Sequence, residues 1–430
     1  MTRVGVDVGG TFTDLVAVSP DGKVDIRKVA STPHDPSIGL FRALDLLSAA
    51  SLDVLVHGTT VATNALLERR GAHVVLVTTA GFEDLLWLRR QDRPALYDLA
   101  RDHPPPLVTR EDVIGARERM GPDGAVLALT ESEIGRVTGA VADRHPESVA
   151  IALLFAFRHP DHERRLATAL RHAFPGVPVT ASHEVLPVFR EYERTSTTTA
   201  EAYLRPKVGS YIAKTAAAAK AHGVRSLTIM TSSGGTLGPE HATRRAASLA
   251  LSGPAGGVVG AGLVGSAVGI RDLLTLDMGG TSADASLVMG GVALSEGAEV
   301  IAGVPLALPA ILIETVSAGG GSIATVDDGG ALRVGPRSAG AEPGPACYGH
   351  GGTEPTVTDA CLVLGWLDPD YPLADSVRLD RTAAERALST IAHALGNRVP
   401  HDVCDVAAGI VQVAAAVMAR ALKRVSVARG

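Results

Sequence analysis

The eight-residue pattern Asp-x-Gly-Gly-Thr-x-x-Asp occurs twice in this chain, as DVGGTFTD at residues 7–14 and as DMGGTSAD at 277–284. Each copy follows a short strand-like run, Arg3-Val4-Gly5-Val6 or Leu273-Leu274-Thr275-Leu276. Apolar residues resume behind each, at Leu15, Val16 and Val18 or at Ala285, Leu287 and Val288. Such an order describes a β-hairpin with a Gly-Gly-Thr turn between aspartates. Paired glycines let backbone N–H groups converge on an anion where a Cβ would intrude, and threonine hydroxyls add donors. A carboxylate beside a phosphate is best explained by a bound Mg²⁺. One Gly-Gly turn simply joins strands; two copies of the same octet point to nucleotide phosphate binding.

At roughly 150 residues per domain, the 430 residues make two or three domains. A hydrophobic content of 46% and a charged content of 20% are those of an ordinary globular protein. The net charge of −6 and the lack of a polybasic tract give no reason to expect nucleic acid as a partner. Cys347, Cys361 and Cys404 form no C-x-x-C pair, which fits a reducing compartment and argues against a zinc knuckle or disulfide framework. The N-terminus enters a strand directly, so no secretory leader is expected. The most apolar stretches, near 254–270 and 406–422, are interrupted by Gly, Pro, Gln or Arg. The expectation is a cytoplasmic protein without a membrane span.

Strands and helices alternate along the chain, as in an α/β fold of two related lobes. Strands are expected at 24–29, 54–56, 74–77, 149–155 and 227–230, and helices near 36–50, 130–144, 189–222 and 254–268. Asp161 reads as the N-cap of a further helix. Residues 100–128, rich in Pro and charge, read as an irregular excursion, and 317–353 show much Gly and little periodicity.

Gly260-Ala261-Gly262-Leu263-Val264-Gly265 matches G-x-G-x-x-G, but no strand precedes it, so close helix packing is the better reading. The crowd His159, Asp161, His162 and Glu163 reads as a solvated helix start in preference to a metal site. His57-Gly58-Thr59-Thr60 follows a strand, where open α/β sheets place ligands. His57 either positions a substrate carbonyl and moves a proton or caps its own turn. Ser317-Ala318-Gly319-Gly320-Gly321-Ser322 is either an anion nest of consecutive N–H groups or a hinge.

Together, Asp7–Asp14, HGTTVATNALLERRGA (57–72), REYERTSTTT (190–199), SGPAGGVVGA (252–261), Asp277–Asp284 and GPRSAGAEPGPACYGHGGTEPTVTD (335–359) resemble the hydantoinase/oxoprolinase family, of the hydantoinase A type. The resemblance implies a duplicated two-lobe actin-like ATPase fold, that of acetate and sugar kinases, chaperone ATPases and actin. The lobes would be 1–187 and 188–430, the second incomplete. It implies ATP-driven opening of a cyclic amide such as a hydantoin, 5-oxoproline or a lactam through phosphorylation of the carbonyl oxygen. Asp7, His57 and Asp277 would be catalytic, with Asp7 and Asp277 holding Mg²⁺. Gly9, Gly10, Thr11, Thr13, Gly279, Gly280, Thr281 and Ser282 would cradle ATP, and Thr59, Thr60, Asn64, Gly319 and Gly320 would face the substrate. The expected partner is a B-type subunit, or a chain supplying a C-terminal region.

The sequence departs from the family pattern at Leu312-Ile313-Glu314-Thr315, where Asp-x-His-Thr is usual, at Ser317, usually glycine, and at Glu201, where asparagine is common. It also ends at Gly430, where relatives continue into a glycine-rich segment that covers the adenosine. A shortened non-catalytic or regulatory relative and an acetone-carboxylase-type subunit are the rival expectations.

Overall fold

The structure, a computed structural model, describes all residues except 10, 11, 31, 33–35, 48–51, 372–376, 397–401 and 430. β1 (Arg3–Val8) alternates strictly, burying Val4, Val6 and Val8 and turning Arg3, Gly5 and Asp7 outward. β2 (Phe12–Val18) and β3 (Val24–Ala30) continue it as an antiparallel meander. After α1 (Pro36–Asp45), β4 (Leu52–Thr59) enters parallel to β1 on its other side.

α2 (Val61–Leu67) leads into a second sheet. Its central strand, β5 (Val74–Thr79), is buried at every residue, as a strand covered on both faces must be. A single turn, α3 (Leu85–Leu88), is followed by β6 (Val113–Ala116) and a small hairpin of β7 (Arg119–Gly121) and β8 (Gly124–Leu127). The 100–128 region is thus irregular over 101–109, as its Pro and charge content suggested, but ordered into three short strands beyond. α4 (Glu131–Ala142), β9 (Ser148–Ala152), α5 (Asp161–Ala173) and β10 (Val179–Ala181) complete this sheet in the order β10-β9-β5-β6. Asp161 is the first residue of α5 and Pro160 precedes it without a side-chain cap, so the capping role read from sequence is not filled.

α6 (Ser182–Val185) and the 31-residue α7 (Glu191–Ala221) return the chain to the first sheet. There β11 (Val224–Met230) and β12 (Thr236–Leu237) add to β4, giving the order β12-β11-β4-β1-β2-β3. The sheet of the first hairpin thus draws on residues 224–237, beyond the division at 187 expected from sequence. α8 (Pro239–Arg244), a 3₁₀ turn (Ala246–Leu249) and α9 (Ser252–Ala267) lead to β13 (Leu273–Met278) and β14 (Ala283–Met289), with β15 (Val292–Ala293) beside β14.

Short ribbons follow: β16 (Ser295–Glu296) with β19 (Ala310–Ile311), β17 (Glu299–Ile301) with β18 (Val304–Leu306), β20 (Glu314–Val316) on β14, and β21 (Ser322–Val326) with β22 (Leu332–Ser338). α10 (Val357–Val363), α11 (Arg381–Leu395) and α12 (Val403–Val425) pack with β21 and β22 into a separate core around Leu362, Leu388 and Ile410. The segment Val403–Arg429 is long and apolar enough to cross a membrane by length and composition, despite its polar interruptions. Its Val406, Ala407, Ile410 and Ala414 are buried in this core.

The two octets form one structure twice. Asp7 lies opposite Asp14 and Asp277 opposite Asp284, and the turns close by Gly9 N–H to Phe12 O at 3.0 Å and Gly279 N–H to Ser282 O at 2.9 Å. They differ at the outer edge. β1 is gripped by β4, whereas β13 has no second strand among the described residues. Leu274, Leu276 and Met278 of β13 and Leu263, Val264 and Val268 beside it are exposed.

Candidate functional site

The two hairpins meet at the start of α9. Leu251 adopts a left-handed conformation (φ 60°) ahead of the helix. Its N–H donates to Thr63 Oγ1 at 2.8 Å, and the Ser252 hydroxyl donates to Thr59 O at 3.1 Å. These bonds tie the helix start to the end of β4. The glycines that follow serve close approach. A Cβ on Gly253 would stand 3.1 Å from Asp7 Oδ1, and one on Gly257 would stand 3.9 Å from Asp277 Oδ2. Gly58 closes the other side, where a Cβ would come within 2.9 Å of Asp7 Oδ1. Gly253 and Gly257 are one turn apart, so the two carboxylates flank the first turns of one helix.

Asp7 and Asp277 accept no hydrogen bond and form no ion pair among the described residues, whereas the second aspartate of each hairpin is engaged. Asp14 pairs with Lys28 at 2.6 Å, and Asp284 accepts the Thr315 hydroxyl at 2.6 Å. Desolvation, reinforced by Asp14 and Asp277, raises the Asp7 pKa even though its strand position faces outward. Desolvation likewise raises Asp284, with Asp277 adding to the rise and Thr315 opposing it. Unpartnered carboxylates crowded by other acids fit a divalent cation, which would relieve the repulsion and accept oxygen from both. With only two protein carboxylates, such a cation would keep positions for phosphate oxygens and water.

The glycine triplet is neither an open nest nor a hinge. Gly319 N–H donates to Ser322 Oγ at 2.9 Å, Gly320 N–H to Gly279 O at 2.9 Å, and Gly321 N–H to Gly280 O at 2.6 Å. A Cβ on Gly319 would collide with the Thr281 and Ser282 backbone at 2.6 Å. The triplet is a backbone strut under the second hairpin, and its N–H groups are spent on it. Gly319 and Gly320 therefore do not reach a substrate as anion donors.

His57 is also displaced from its expected place. It is fully buried, with Nε2 2.7 Å from the Tyr211 hydroxyl and Nδ1 3.4 Å from Val6 O. A carbonyl only accepts, so Nδ1 carries the proton and Nε2 receives the tyrosine hydrogen. Burial lowers its pKa to about 4. His57 is a wall of the hairpin's support, without access to a substrate. Thr59 is buried too, its Oγ1 accepting from Val61 N–H at 3.2 Å. Thr60 is half-buried and Asn64 exposed, linked by an Nδ2–Oγ1 contact of 3.4 Å, and both stay accessible at the rim.

Among the expected phosphate ligands, Gly9 is half-buried while Gly279, Gly280 and Thr281 are exposed. Ser282 is half-buried. Gly10 and Thr11 lie outside the described residues. Thr13 is fully buried, and its register equivalent in the second hairpin is Ala283, so its hydroxyl is not part of the repeated apparatus.

Sequence reading missed Gly58, Gly253 and Gly257. Two glycines four residues apart at a helix start were the available signal, and the G-x-G-x-x-G match drew attention to 260–265 instead. That segment lies inside α9, where a Cβ on Gly265 would strike Leu273 at 2.4 Å, which bears out the packing reading. The His159–Glu163 crowd is not a solvated helix start: His162 pairs with Glu118 at 2.6 Å and Glu163 with His183 at 2.7 Å, with His162 and Glu163 buried. At the departing segment, Leu312 is buried against Ala285 and Ala421, and Glu314 pairs with Arg424 at 2.5 Å.

A model of the hydantoinase/oxoprolinase family matches residues 194–430, and a model of the family's N-terminal region matches residues 3–174. The chain is 40% identical over 444 residues to caprolactamase subunit alpha of Pseudomonas jessenii, covering 100% of this chain and 63% of that one. It is 36% identical over 424 residues to the acetophenone carboxylase gamma subunit of Aromatoleum aromaticum, covering 92% of this chain and 58% of that one. The crystal structure of ATP-dependent caprolactamase from Pseudomonas jessenii shares the mixed α/β fold with a TM-score of 0.86 at 39% identity, over 100% of this chain and 64% of that one. The chain thus spans less than two thirds of the length of these relatives. Two family models that between them take in both hairpins, and relatives alike along the whole chain, establish that this chain belongs to the hydantoinase/oxoprolinase family.

Proposed function

We propose that the chain is an ATP-binding subunit of a cyclic amide hydrolase, with Mg-ATP held between the two hairpins of a duplicated actin-like fold. The single observation that carries this reading is the pair of carboxylates, Asp7 and Asp277, flanking the first turns of α9 and unpartnered among the described residues. In this reading Asp7 and Asp277 hold Mg²⁺, directly or through water. Gly9, Gly279, Gly280 and Thr281 approach the phosphates, with Gly10 and Thr11 in the equivalent place on the first turn. Thr60 and Asn64 lie on the substrate side. His57 keeps a positioning part only, by fixing β4 beneath Gly58.

The amide carbonyl is a poor electrophile. Transfer of the γ-phosphoryl group to its oxygen gives a phosphorylated imidate and ADP. Water then adds at carbon, the ring C–N bond opens to free the amine and leave an acyl phosphate, and a second water hydrolyses that to the carboxylate and inorganic phosphate. Support for this class comes from the caprolactamase likeness, in a relative named as ATP-dependent and as a subunit. A lobe boundary near residue 187 agrees with the break between the family models at 174 and 194, while the first sheet borrows β11 and β12 from beyond it. The proposed partner is a second polypeptide, a B-type subunit or one that covers the bare edge of β13. The acetophenone carboxylase likeness favours a second reading, ATP-dependent carboxylation of a ketone.

The test is ADP release by the chain, alone and with its partner subunit, on caprolactam or 5-oxoproline against acetophenone with bicarbonate. ADP release driven by the cyclic amides and lost in Asp277→Ala supports the hydrolase. Release driven only by the ketone moves the chain to the carboxylase reading, and release with neither overturns both.

A further inference from the structure

A second site lies apart from the hairpins, in a cavity of about 730 Å³ between α7, α8 and the helices of the β10-β9-β5-β6 sheet. That volume is in the range of small-molecule sites. Four arginines reach it: Arg171, Arg205, Arg244 and Arg245. Arg171 is matched by Glu184 at 2.7 Å and Arg244 by Glu240 at 2.8 Å. The other two touch no carboxylate among the described residues, and the Glu201 charge, joined at Arg205 by that of Glu184, acts on them only from a distance. Among the described residues, Arg205 makes one side-chain hydrogen bond, to the Thr180 hydroxyl at 3.3 Å, and Arg245 forms no ion pair. The Glu201 carboxylate also lines the cavity, but the N–H groups of Ala246 and Ala247 hold its oxygens at 2.7 and 2.8 Å. Its oxygens are thus spent on backbone donors and make no direct bond to either guanidinium.

Burial lowers the Arg205 pKa, so the fold bears a desolvation cost at a charge left without a contacting counter-ion. Guanidinium groups are suited to bidentate oxyanion recognition. Thr231, Ser233 and Thr236 add hydroxyls along the β11–β12 wall. We propose that this cavity binds a small organic oxyanion, a carboxylate or phosphate held by Arg205 and Arg245, independently of nucleotide binding at the hairpins.

The experiment is calorimetric titration of the full chain with glutarate and, separately, with inorganic phosphate, in the wild type, Arg245→Ala, Arg205→Gln and Asp277→Ala. Arg245 is exposed at the cavity wall, so its truncation leaves folding intact. At least one anion is expected to bind, to weaken about tenfold or more in Arg245→Ala and in Arg205→Gln, and to be unchanged in Asp277→Ala. Glutarate alone identifies a carboxylate site and phosphate alone a phosphate site. No binding of either anion, binding indifferent to both arginine changes, or binding abolished by Asp277→Ala overturns the proposal. Because Mg-ATP titration of the same proteins reports on the hairpins, the two readings fail separately.

Discussion

Gly58 lies so close under Asp7 that a methyl group on it would stand 2.9 Å from Asp7 Oδ1, with Gly253 pressing from the other side at 3.1 Å. Two strands and a helix start thus converge on one carboxylate. Gly58→Ala is expected to shift Asp7 and weaken Mg-ATP binding about tenfold, while the loss of stability stays at ~1–2 kcal/mol. Calorimetry of nucleotide binding set against thermal unfolding separates the two effects.

The Asp277 side chain is exposed on β13 and makes no hydrogen bond or ion pair among the described residues. Asp277→Ala is expected to change stability by no more than about 0.5 kcal/mol and to reduce Mg-ATP affinity about a hundredfold. Retained affinity with an intact fold would remove the cation role.

Gly319 is the strut residue with the least room, with Thr281 and Ser282 backbone atoms 2.6 Å from any added Cβ. Gly319→Ala is expected to cost ~2–4 kcal/mol by forcing the second hairpin's turn away from its support. Chemical denaturation measures this directly.

The buried pair His57–Tyr211 makes a pH prediction. The ordinary imidazole pKa of 6.5 falls to about 4 in the fold, so the unfolded chain takes up the proton first. This site's contribution is fully present above pH 6.5 and is lost as pH falls through 4, by roughly 3 kcal/mol in all. Tyr211→Phe is expected to cost about 1–3 kcal/mol by leaving Nε2 without its donor. Stability curves between pH 4 and 8 check both.

Glu201 runs the other way. Burial raises its pKa from 4.5 to about 7, against the pull of the Ala246 and Ala247 N–H groups and of Arg205 and Arg245. The folded chain holds this proton more tightly than the unfolded chain. Stability from this site is therefore highest below pH 4.5 and falls as pH rises through 7, by roughly 3 kcal/mol. Glu201→Gln is expected to flatten that slope while costing about 1 kcal/mol in hydrogen bonding. Paired denaturation series at pH 5 and pH 8 measure it.

The repeated octet was legible because its chemistry is local: turn glycines, flanking apolar runs and aspartates at fixed spacing carry a hairpin without help from distant residues. The same locality made α7 and α9 readable. What escaped depends on where unrelated segments meet. Nothing near His57 in sequence announces Tyr211, which lies 154 residues away, and burial there turned a candidate proton carrier into a support. The glycine triplet looked like free N–H groups because the carbonyls that use them, Gly279 and Gly280, belong to another turn. The basic cavity was unreadable for the same reason, since Arg171, Arg205 and Arg245 come from three separate helices or their flanks.

The unequal bracing of the hairpins has a mechanical consequence. β1 is clamped laterally by β2 and β4, whereas β13 pairs only with β14 among the described residues. The first jaw is thus braced by two strands and the second by one, and the gap between Asp7 and Asp277 answers more readily to what touches the second. A polypeptide pressed on Leu274, Leu276 and Met278 would act as a spring stop for that jaw, tuning its grip on phosphate without touching the nucleotide.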